Sequence, residues 1–156
     1  MGTLEAISQS SLVRWVAESD WGYPIVLTLH ALGMALVVGI MMMFDLRVLG
    51  FAARVPLTSA RSFFPVAWSG FAVNLCSGTL LFLANYAAFL HNTAFLTKIS
   101  LLSIAAVVTY FLSREVTATG TEISSPRAKI LAALCLLLWL GAITAGRIVG
   151  YTSVPE

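Results

Sequence analysis

Apolar side chains run almost unbroken through four stretches, Tyr23 to Phe44, Phe63 to Leu90, Phe95 to Ser113 and Ile130 to Val149, with charged residues gathered between them. Each stretch reaches or approaches the ~20 residues that carry a helix across ~30 Å of hydrocarbon. Lipid offers no partners to backbone N–H and C=O groups, so a chain crossing it this way bonds them internally as α-helix. The pattern predicts an all-α fold, an integral membrane up-and-down four-helix bundle over residues 21–156. It is preceded by an N-terminal interfacial amphipathic helix over residues 1–20. In that first segment Leu4, Ile7, Leu12, Trp15 and Val16 approximate one helix face, and Glu5, Ser8, Ser11, Arg14 and Glu18 much of the rest. Such a face suits the membrane interface or a partner protein equally well. The segment lacks the basic start, apolar run and small-residue cleavage site of a signal peptide.

Composition agrees with a membrane home: 59% of residues are hydrophobic and 10% charged, too apolar for a soluble domain of this size to cover. The net charge of +2 sits at helix ends, without the basic block that nucleic acid requires. Arg47, Arg54 and Arg61 fall between the first and second spans, and Arg114, Arg127 and Lys129 between the third and fourth. By the positive-inside rule these loops are cytoplasmic and both termini periplasmic, in a bacterial inner membrane. The short turn around His91, Asn92 and Thr93 predicts that spans two and three pair as a hairpin. Ala31, Ala35 and Gly39 on the first span, Gly70, Asn74 and Gly78 on the second, and Ala142, Gly146 and Gly150 on the fourth form small-residue stripes suited to close helix packing.

Polar groups inside the spans mark where function belongs. His30 lies about two turns, or roughly 10 Å, inside the first span. A neutral imidazole there suits coordination of haem iron or a metal, proton relay, or bonding to a quinone. Asn85, Tyr86, His91, Lys98, Arg147 and Tyr151 fall toward the same outer side, where Lys98 and Arg147 suit haem propionates, a lipid headgroup or an anionic substrate. His91 is the one other histidine and the sole candidate for a second histidine ligand, although its depth differs from that of His30. Met34 shares a face with His30, but a space-filling role is the ordinary one for methionine. Asp45 and Arg47, in FDLRVLG, are expected to serve structural ion pairs at the cytoplasmic boundary, with Arg114 the natural partner of Asp45 on another helix. Cys76 and Cys135 read as small buried apolar side chains. No phosphate loop, nucleophile elbow or paired-histidine metal motif is present, so any enzymatic activity depends on a bound cofactor or a partner.

The segments LTLHALGMALVVGIMMMFDLRVLG and LWLGAITAGRIVGY, with FLTKISLL around Lys98, resemble a family of small bacterial four-span membrane proteins defined only as a domain of unknown function. The resemblance draws attention to His30, Asp45, Arg47, Lys98 and Arg147 and implies no activity. More loosely, the architecture is similar to haem- or copper-associated membrane bundles of the CopD and membrane protoporphyrinogen oxidase types. The expectation is a protein that binds b-type haem in the outer half of its bundle through His30, serving a membrane electron-transfer complex. The alternatives are a structural or assembly subunit of a larger complex and, third, a metal or small-solute transporter. Membrane lipids and a larger protein complex or homo-oligomer are the expected partners.

Overall fold

The computed structural model of the chain describes residues 3–51, 54–119 and 125–152. All regular structure among them is helical: α1 (Thr3–Ser8), α2 (Ser11–Glu18), α3 (Gly22–Leu49), α4 (Leu57–Ser62), α5 (Phe64–Ala84), α6 (Tyr86–Leu90), α7 (Thr93–Thr119) and α8 (Pro126–Thr152). The side chains of Leu4, expected on the apolar face of the first helix, and of Arg61, counted among the loop cations, lie outside the described residues.

Four segments are long and apolar enough to cross a membrane: Gly22–Leu49, Leu57–Ala84, Thr93–Val116 and Pro126–Thr152. Between 17% and 28% of their most apolar windows is buried inside the chain, so most of each span turns apolar side chains outward, as a helix solvated by acyl chains does. The helices outrun the apolar stretches because Asp45, Arg47, Arg114 and Arg127 interrupt hydrophobicity without interrupting the backbone ladder. The first span stops at Gly50, whose φ of 100° suits a residue without Cβ. Phe51 N–H then bonds back to Leu46 C=O at 3.1 Å. The second stretch departs from expectation near its end. Asn85 (φ −143°, ψ 45°) leaves helical geometry and separates α5 from the short α6.

The chain divides into two compact units. The first, Met1–Val37 with Val66–His91, contains α1, α2, the early part of α3, most of α5 and α6. Here α3 and α5 run antiparallel, since Val26 clusters with Leu81, His30 bonds at Asn74, and Leu36 meets Gly70. A Cβ placed on Gly33 would stand 2.8 Å from Gly70 O and 2.9 Å from Asn74 N. The two backbones therefore touch where a side chain would hold them apart. The packing stripe is Val26, His30, Gly33 and Val37, whereas the expected stripe of Ala31, Ala35 and Gly39 is exposed. The helix is apolar all round, so small residues alone did not mark its contact side. The N-terminal segment is helical, and most of its expected apolar face points out of the chain. It breaks into α1 and α2, buries Val13 and Val16, and exposes Ile7, Leu12 and Trp15. Val16 packs with Val26 and Leu81.

The second unit, Val38–Pro65 with Asn92–Glu156, holds the α7–α8 pair. Contacts of Asn92 with Thr152, Lys98 with Gly146, Leu101 with Gly141 and Thr109 with Cys135 fix an antiparallel register. Ala128, Ala132, Cys135, Trp139, Ala142 and Ala145 form the buried face of α8. At one end Phe44, Val48, Leu57, Leu112, Val116, Ala128 and Ala132 form a core, with Phe44 and Phe64 meeting edge to face at 5.1 Å.

Candidate functional site

In the first unit His30 is half-buried and held by α5. Its Nδ1 lies 3.1 Å from Asn74 O and 3.2 Å from Ser77 Oγ. A backbone carbonyl only accepts, and the Ser77 hydroxyl already donates to Val73 O at 2.6 Å, so Nδ1 carries the proton. The lone pair then belongs to Nε2, the arrangement in which a second-shell carbonyl orients a ligating histidine. Asn74 completes a reciprocal clasp by donating its Nδ2 to His30 O at 2.9 Å. Gly78 makes room for the ring, since a Cβ there would stand 2.9 Å from His30 Cε1. The small stripe of α5 is thus both packing surface and imidazole seat.

Within the first unit, Asn85 and His91 are not gathered around His30. Asn85 is the exposed break between α5 and α6, and His91 is the exposed C-cap of α6. His30 meets α5 at Gly78, and thirteen residues of largely helical chain, a rise of up to ~20 Å, separate that level from His91. Paired histidine ligation by this chain does not fit. Among the described residues no group of three His, Cys, Asp or Glu converges.

Lys98, Arg147 and Tyr151 belong to the second unit. The Lys98 stem lies along Gly146, its Cδ and Cε both 3.4 Å from where a Cβ would stand. The Arg147 guanidinium sits 5.6 Å from the centroid of the Tyr151 ring, a cation–π contact.

The same unit contains a buried polar knot that its separate sequence motifs did not announce. Asp45 is 1% exposed and Cys135 0%. The Cys135 thiol bonds with Thr109 Oγ1 at 3.1 Å and lies within hydrogen-bonding reach of Asp45 and Trp139. Asp45 Oδ2 and Trp139 Nε1 make no hydrogen bond of ordinary geometry. Cys135 is therefore more than a small apolar filler, and Cys76 is exposed instead of buried. The expected Asp45–Arg114 pair is absent. Arg114 is exposed and lies over Tyr110 at 5.8 Å, one turn back on its own helix, while Asp45 faces the thiol. Arg47 is buried at 6% exposure and donates its Nε–H to Val55 O, tying the end of α3 to the following loop. Cys135→Ala removes the thiol that Thr109 and Asp45 share and should destabilise the protein by about 1–3 kcal/mol. Unfolding in mild detergent would read this as a lowered midpoint, and an unchanged midpoint would deny the thiol a bonding role.

No protein-family model, curated protein or solved structure matches the chain. The roles of these residues rest on their own geometry.

Proposed function

We propose that the chain is a four-helix bundle of the bacterial inner membrane, with both termini periplasmic, that binds b-type haem through His30 and serves a membrane electron-transfer complex. The observation that carries this reading is the fixed imidazole. Nδ1–H is committed to Asn74 O and Ser77 Oγ, which leaves Nε2 the basic nitrogen suited to iron. The residues present would hold the haem through one histidine and not two. Bound haem would supply one-electron chemistry, and the chain's part is to hold the imidazole in one tautomer and orientation.

Purification of the wild type and His30→Ala from the same host tests the reading. The wild type should show a b-type reduced-minus-oxidised spectrum. The variant should lose it and recover part of it when imidazole is added. A variant that keeps its haem without imidazole would remove His30 from the site.

A structural-subunit reading has its own observation, the reciprocal His30–Asn74 clasp beside the Gly33–Gly70 contact. Under that reading His30→Ala changes stability and leaves no spectroscopic trace.

A further inference from the structure

We infer that Lys98 and Arg147, on the α7–α8 pair, form a binding site for the phosphate headgroup of an anionic phospholipid. Lys98 is the sixth residue of α7, and Arg147 stands five residues before the end of α8. Both thus lie about 8 Å inside the same helix ends, which Asn92 and Thr152 clasp through an Nδ2–H to Oγ1 bond of 2.9 Å. The Lys98 stem crosses Gly146, placing Nζ 3.6 Å from the site of a Cβ there, and the next residue in the chain is Arg147. Two cations of adjoining helices are thereby brought to one level.

Neither makes an ion pair or hydrogen bond among the described residues. Lys98 is half-buried, and a cation kept from water without an acidic partner is costly. An anion at this level relieves both charges, and the planar guanidinium matches two phosphate oxygens at once. The surroundings favour a lipid over a free ion. Leu96 and Ile99 on α7 and Ile148 on α8 are 52%, 45% and 46% exposed, offering apolar surface to acyl chains beside the charged pair. The Tyr151 ring, 71% exposed under the Arg147 guanidinium, is an amphipathic side chain of the kind that lies at headgroup depth. The site rests on the membrane reading and is independent of haem at His30.

Native mass spectrometry of the detergent-purified protein, titrated with phosphatidylglycerol, phosphatidylcholine or inorganic phosphate, tests the site. Phosphatidylglycerol should remain bound through activation that strips phosphatidylcholine. Lys98→Gln and Arg147→Gln should each weaken its retention about tenfold, the equivalent of one charged hydrogen bond, while Lys98→Arg keeps it. Arg147 is exposed, so its variant folds even where the Lys98 change disturbs packing. His30→Ala should leave lipid retention intact, which separates this site from the haem assignment. Equal retention of phosphatidylcholine, displacement of the lipid by inorganic phosphate, or glutamine variants that keep the lipid and lose only haem would each overturn the proposal.

Discussion

Gly33→Leu is expected to break the α3–α5 contact of the first unit. A Cβ at that position meets Gly70 O at 2.8 Å and Asn74 N at 2.9 Å, and both are backbone atoms that no rotamer change moves aside. Overpacking of this kind costs about 1–3 kcal/mol and sometimes more. The added side chain would also part Asn74 from His30, so the clasp and the interface fail together. Gly39→Leu supplies the control, because no atom lies within 4 Å of its Cβ position. That change should stay within about 0.5 kcal/mol of the wild type. Thermal or denaturant unfolding in detergent would show a large loss for Gly33→Leu and almost none for Gly39→Leu. Equal midpoints would mean that α3 packs on another face.

Gly78→Leu should abolish haem retention without touching a ligand. Its Cβ would stand 2.9 Å from His30 Cε1 and 3.2 Å from Nδ1, so the ring must swing away from the groups that hold it. Losing the bonds to Asn74 O and Ser77 Oγ frees both the orientation and the tautomer of the imidazole. Loss of a second-shell partner weakens metal binding about 10–100-fold, and displacement of the ring itself sits at the upper end of that range. Haem absorbance per chain in purified Gly78→Leu should therefore approach that of His30→Ala, with helical content retained. Normal haem content would show that the imidazole does not depend on its seat against α5.

The spans were legible because uninterrupted hydrophobicity is a property of each helix alone. Their full lengths were not, since Asp45, Arg47 and Arg114 end the apolar count while the helices continue. Which side of a span packs was also hidden. Gly33 and the Ala31, Ala35 and Gly39 stripe are equally small, and in a helix apolar on every side only the partner backbone selects between them. His30 could be singled out as an ionisable group inside a span, and the Gly70, Asn74 and Gly78 stripe could be read from its spacing. Their meeting depends on the register of α3 against α5. The knot of Asp45, Thr109, Cys135 and Trp139 was missed for the same reason. Its members come from three helices, and none carries a local motif. The expected partnership of Asp45 with Arg114 assumed that a buried charge seeks the nearest boundary cation, whereas α8 presents a thiol and an indole at that level.

The central claim is that His30 is the haem ligand of a membrane bundle, and the most direct measurement is haem per chain in wild-type protein purified in mild detergent from its native membrane. Reduced-minus-oxidised absorbance, with iron quantified on the same sample, should give one b-type haem per chain. A well-folded preparation with neither haem nor iron would contradict the claim and leave His30 as a helix clasp.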